Sequence, residues 1–408
     1  MKPMIANVSR RDFLNISGRF GLTSTLIAAS GLGAGLTAST LARAADQEQQ
    51  RRYQTEPKHR LRFGAAGFNE RNLDVQKSGQ LFFARDLEER TNGAIRVEFM
   101  GSNEVCNQLD CVSQTQQGIV DIFSASTQNS AGGAPYLNIL DFAYMFPTVA
   151  SMFHFFYDPR SEALLREPLR QRHNLQFLFT HCELRGIMLG AKWADKPLVT
   201  SIEELAGTRN RVTGTQLGRI AMEQLNLNPS PIAWEETLDG LRQGLLDGAE
   251  TWMSAAAYAG LAPVISQAVD LRFFAGNDHT AMSLGAFEKL GSELQDQVME
   301  SAYCAQIFTQ GMNEAGRYQL IGATEHPAPG TVFAEHNVRF APLSDEERHK
   351  TEQMCSPEFN PQPWERWRER LNGWAGGIDI YKEIHGIARE IPRDMAAVNV
   401  KPQRWWRG

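Results

Sequence analysis

Two spacings of apolar residues alternate along the chain. LRFGAA at 61–66 is a short apolar run and predicts a buried strand. After the turn GFNER, Leu73, Leu81, Phe82 and Leu87 recur at helical spacing, predicting a helix over about 73–90 that Thr91-Asn92-Gly93 stops. AIRVEFM then alternates apolar with charged residues, the pattern of a half-buried strand. A helix over 107–117, ended by Gly118, and a strand in IVDIFSAS complete the first series. The rhythm restarts with a strand at NLQFLFTH (174–181). Ser201 and Glu204 form a capping box that opens a short helix, and Gly207 stops it. Beyond lie a strand through Arg209, Arg211 and Val212, a helix over 215–225, a strand in PSPIAW, a helix over 235–243 and a strand in GAETW. Strands alternating with helices predict a mostly parallel sheet of βαβ units, and two such series predict two α/β lobes with a cleft between them.

The N-terminus departs from this pattern. Ser9-Arg10-Arg11-Asp12-Phe13-Leu14 is a twin-arginine motif, followed by the mildly apolar GLTSTLIAASGLGAGLTAST and the small-x-small site Ala42-Arg43-Ala44. Together they predict a Tat export signal over 1–44, cleaved near Ala44, and a periplasmic mature protein. The abundant Gly, Ser and Thr argue against a membrane anchor. At the other end, five of the eight tryptophans (364, 367, 374, 405 and 406) crowd a region of helices and loops. There WERWRERLNGW predicts an amphipathic helix packed on the body or offered to a partner.

Composition narrows the function. A hydrophobic fraction of 42% supports a core in each lobe, and a net charge of −6 gives no general attraction to nucleic acid. Cys106 and Cys111 stand at C-x4-C, a spacing that leaves a disulfide or two free thiols open and is a poor zinc or redox signature. None of G-x-S-x-G, H-E-x-x-H, C-x-x-C or G-x-x-x-x-G-K-[ST] occurs, so no catalytic site, metal or cofactor is expected. The positive signals are for binding. Arg185 and Arg211 each stand at a predicted strand end, where ligands of open α/β sheets bind, and a guanidinium grips a carboxylate bidentately. Trp234 and Trp252 stand at further strand ends and can wall a pocket.

The block GTRNRVTGTQLGRIAMEQLNLNPSPIAWEETLDGLRQGLLDGAETW resembles the substrate-binding subunits of TRAP transporters, the DctP family. So do QTQQGIVDIFSAS and ILDFAYMF, although Ala143 replaces the expected crossover proline. The resemblance implies an α/β, two-lobed periplasmic-binding-protein fold with hinge strands and, here, a helical C-terminal region. It divides the chain into the leader 1–44, lobe I (60–182 plus 279–318), lobe II (183–278 plus 319–370) and a tail (371–408). It implies a small organic-acid ligand and handover to TRAP membrane permease subunits. In the site, it implies a carboxylate grip by Arg211 and Arg185, an aromatic wall at Trp234, a cleft strand carrying Glu250, Thr251 and Trp252, and a first-lobe turn at Phe68 and Asn69. Two other readings stay open at this stage: an exported enzyme or ligand sensor on the same fold, and a metal or redox site on Cys106 and Cys111.

Overall fold

The computed structural model describes residues 56–66, 78–101, 103–258 and 260–407, together with Gln47 and Gln54. The predicted leader, Phe68 and Asn69 lie outside the described residues. Nine strands are found among the described ones: β1 (His59–Ala65), β2 (Ile95–Met100), β3 (Ile122–Ser126), β4 (Leu175–Gly190), β5 (Arg209–Val212), β6 (Asn228–Pro231), β7 (Gly248–Thr251), β8 (Ile265–Ser283) and β9 (Arg339–Pro342). Their order is β2-β1-β3-β8-β4-β7-β5-β6, with β9 on β8.

Two strands are far longer than the rest, β4 with 16 residues and β8 with 19. They run antiparallel and serve both halves of the molecule. The C-terminal part of β8 pairs with β3, from Ser126↔Asp278 to Ile122↔Met282. Its N-terminal part pairs with β9, and the end of β4 pairs with β7 at Gly186↔Thr251. The two α/β lobes therefore hang on one shared ribbon. That ribbon changes register between Arg185 and Ile187, and a Cβ on the intervening Gly186 would lie 2.1 Å from the Val269 carbonyl oxygen. Only glycine lets the strands approach so closely there.

Two expectations need correction, and one is refined. The sheet keeps the expected parallel pairings in five of its eight strand pairs but is mixed, because β8 runs against β3 and β4, and β7 against β4. The strand expected at 174–181 continues to Gly190, so Arg185 lies inside a strand and not at its end. The helix expected over 107–117 is Cys111–Gln116, since Asp110 and Asn107 form a turn in which Asp110 Oδ1 accepts from Asn107 N at 2.7 Å. Cys106 and Cys111 are joined by a disulfide, which leaves neither thiol to ligate a metal.

The larger core cluster joins β1, β3 and β4 to the C-terminal helices, and a second one fills lobe II around Leu241, Leu246, Phe333 and Phe340. The amphipathic helix forms over Glu365–Trp374. Trp364 and Trp405 are fully buried, while Trp367, Trp374 and Trp406 pack half-buried against the core. Gln310, on the long helix Gly291–Ala315, donates to the carbonyls of Ala397 at 2.7 Å and Val400 at 2.8 Å. The C-terminal segment is thus tied to the body by hydrogen bonds as well as by indoles. Among the described residues no helix is long and apolar enough to cross a membrane.

Candidate functional site

Short-range chemistry sets the position of Arg211. The capping box of Ser201 and Glu204 forms on the 3-10 turn Ile202–Leu205, and Gly207 adopts φ +75° to end it. The chain then enters β5, which is parallel to β7 and β6 at Arg211↔Ala249 and Arg211↔Ser230. Thr215 caps the next helix, Gln216–Gln224, by accepting from Leu217 N at 3.2 Å. Arg211 therefore stands at the carboxyl edge of the sheet, almost wholly buried. Its Nε donates to Ile232 O at 3.1 Å, and its guanidinium lies 5.0 Å from the Trp234 ring centre. Trp234 opens the 3-10 turn Trp234–Glu236, beyond the end of β6.

Arg185 has a different partner. Its Nη2 donates to Glu250 Oε2 at 2.8 Å and to Glu250 O at 3.1 Å, and its Nε pairs with the other carboxylate oxygen. Both residues are 1% exposed or less, so each charge is compensated inside the protein. The Trp252 ring covers this pair, 4.7 Å from the guanidinium carbon. Gly276 on β8 makes room for the indole, because a Cβ there would come within 2.7 Å of it. Glu183, two residues upstream on β4, fixes the chain after Trp252 by accepting from Met253 N at 2.8 Å and Ser254 Oγ at 2.7 Å. Desolvation pushes the Glu183 carboxyl up, but hydrogen bonds from His181 and Ser254 and the charge of Arg317 hold it below its ordinary value.

Among the described residues, Arg185, Arg211, Trp234, Thr251 and Trp252 line one cavity together with Gln108, Ser126, Asn129 and Thr213. The space left among them is about 10 Å³, the order of one water molecule. Larger hollows of about 340 Å³ beside Tyr144 and Arg348, and about 870 Å³ beside Phe333 and Phe340, lie away from these residues. Chemistry and not volume therefore marks the site. The cavity is small because the lobes meet beside it. Thr215 of lobe II donates its hydroxyl to Asp141 of lobe I, and Gln128 Nε2 donates to the other Asp141 oxygen. Thr213 Oγ1 reaches Gln128 Oε1 at 3.5 Å. Burial raises Asp141 to about 7, against the opposing hydrogen bonds from Thr215 and Gln128.

Of the residues singled out from sequence, five share the cavity wall. Glu250 stands behind Arg185, and Phe68 and Asn69 are outside the described residues. Sequence reasoning missed Gln108, Ser126, Asn129 and Thr213. Ser126 ends β3 and was open to the same strand-end argument as Arg211. Gln108 sits in a polar turn and Asn129 in the short polar helix Thr127–Ser130, neither with a distinguishing pattern.

Two α/β lobes on a shared pair of long strands, with cations and indoles at their junction, are the architecture of a two-lobed solute-binding protein. Residues 67–357 match the family described as bacterial extracellular solute-binding protein, family 7 (DctP), and the chain belongs to that family. It is 24% identical over 263 residues to the ectoine-binding periplasmic protein TeaA of Halomonas elongata, covering 62% of this chain and 73% of that one. It is also 24% identical over 292 residues to a solute-binding protein of Roseobacter denitrificans, covering 67% and 85%. Among solved structures, the fold resembles a TRAP periplasmic solute-binding protein of Desulfovibrio salexigens with bound orotic acid, at TM-score 0.68 and 16% identity, over 81% of this chain and 99% of that one. A similar protein of Anaerococcus prevotii with bound glucuronate gives TM-score 0.65 and 19% identity, over 82% and 99%.

Proposed function

We propose that this chain is the periplasmic receptor of a TRAP-type transporter, which closes its two lobes over a small organic acid and delivers it to the membrane permease subunits. One observation carries the reading. Arg211 is buried at a strand's carboxyl edge, on a cavity to which both lobes contribute. A guanidinium so placed gains most from a carboxylate that closure strips of water. The acids in the related structures, orotic acid and glucuronate, support this chemistry. Residues 60–182 with 279–318, and 183–278 with 319–370, are the two moving bodies in this reading, and the segment from 371 rides on the first. The twin-arginine leader supports export by the Tat machinery in a folded state, with cleavage near Ala44.

The test is thermal unfolding of the mature protein against a panel of organic acids. An acid at about 100 times its Kd adds roughly 2.7 kcal/mol of stability. The receptor reading predicts such a shift for one class of acid, and recovery of that acid unchanged after incubation. Conversion of the acid would instead indicate an enzyme on the same fold.

A further inference from the structure

On the reading that Arg211 takes the ligand's carboxylate, we infer that the cleft selects acids with a single carboxylate and a hydrogen-bonding group at their far end, and that Ser126 is the residue that reads this group.

The charge on the wall sets the first half of the selection. Among the described residues, the cations lining the cavity are Arg185 and Arg211. Arg185 gives its Nε and Nη2 to both oxygens of Glu250 in a fully buried pair. Among the described residues, a second ligand carboxylate finds a counter-charge only by displacing Glu250 and otherwise sits buried and unpaired, and either is costly. The described residues on the lobe I side of the cavity are Gln108, Ser126 and Asn129, which are polar and neutral.

The second half comes from the state of those neutral groups. Both ends of Gln108 are engaged: Oε1 accepts from Ser126 N at 2.8 Å, and Nε2 donates to Ala66 O at 3.4 Å. Gln108 thus fixes the backbone of Ser126 and leaves its hydroxyl to the cavity. The Ser126 residue is 4% exposed, and its Oγ is buried with no hydrogen-bond partner. Buried hydroxyls are nearly always paired, because an unpaired one loses its hydration for nothing. Asn129 lines the same cavity, and its Nδ2 makes a long contact of 3.5 Å to Gln108 Oε1. A ligand hydroxyl or carbonyl at this end satisfies Ser126, whereas a methyl end leaves it unpaired. Neither indole offers a rival apolar platform on the face it turns to its arginine, since a guanidinium already covers that face.

The experiment is calorimetric titration of the mature protein with straight-chain acids of matched length. Each is supplied as the hydroxylated monocarboxylate, the deoxy monocarboxylate, the hydroxylated dicarboxylate and the neutral polyol. Hydroxylated monocarboxylates bind best, and the matched dicarboxylates bind roughly a hundredfold more weakly. Ser126→Ala weakens hydroxylated acids roughly tenfold and barely changes the deoxy acids. Ser126→Thr keeps most of the preference. Dicarboxylates bound as tightly, or wild-type affinities in Ser126→Ala, would overturn the inference. If that tight dicarboxylate binding is lost in Arg211→Ala, the carboxylate reading of Arg211 stands and this inference alone fails. Binding of the polyol, binding untouched in Arg211→Ala, or no binding of any acid overturns both.

Discussion

Asp141 shows how much a single carboxyl can report. It is buried where the lobes touch, with Thr215 and Gln128 bonded to its oxygens and the charged pair Arg185 and Glu250 close enough to act on it. Desolvation raises it to about 7 in the folded chain, whereas an unfolded aspartate titrates near 3.9. Between those values the native state holds the extra proton, so stability must fall as the pH rises through this window, by up to about 1.4 kcal/mol per pH unit. Above about pH 7 the contribution is gone. Denaturant titrations at pH 5 and 7.5 should show the wild type losing more stability than Asp141→Asn. Equal losses would mean that Asp141 is ionised throughout. Nothing in the sequence announced this residue, because ILDFAYMF reads as an apolar crossover with one polar interruption.

Among the elements, the long ribbon of β4 and β8 determines what the molecule can do, and it was the least legible part. Local spacing found β1, β2, β3 and β5, which have the apolar runs or alternation that burial on a sheet requires, and missed the short β9. β8 reads ISQAVDLRFFAGNDHTAMS, with polar residues on both faces, and all but Arg272 are nevertheless buried. Those polar groups are satisfied from far along the chain. Asp278 accepts from Ser124 Oγ at 2.9 Å, and His279 Nδ1 lies 3.0 Å from Thr127 Oγ1. A window of neighbours cannot see such partners, so the periodicity argument stopped β4 at His181 and left Arg185 at a false strand end. The resemblance supplied hinge strands where periodicity could not. Because Gly186 sits where the ribbon slips register against Val269, Gly186→Ala should cost roughly 2–4 kcal/mol. Urea midpoints check this, and a cost below about 0.5 kcal/mol would mean that the ribbon bends freely.

The whole molecule behaves as two lobes closed on each other. Lobe contacts run through Thr213, Thr215, Gln128 and Asp141, and the cavity beside them holds little more than a water's volume. An acid of several carbons enters only if the lobes part and close again around it. Arg211, Trp234 and Trp252 stood out in the sequence because strand-end position and family resemblance converged on them, and Thr251 through the resemblance alone. The lobe I wall was not, because its amides and hydroxyl gain meaning only when the lobes face each other.

The most direct measurement compares binding of the acid identified from the panel by the wild-type mature protein and by Arg211→Ala, with circular dichroism confirming that both are folded. Removal of a buried partner of a charged ligand costs roughly 2–5 kcal/mol, so the variant's affinity should fall by a factor of about 30 or more. A folded Arg211→Ala protein that binds the acid as tightly as the wild type would contradict the account.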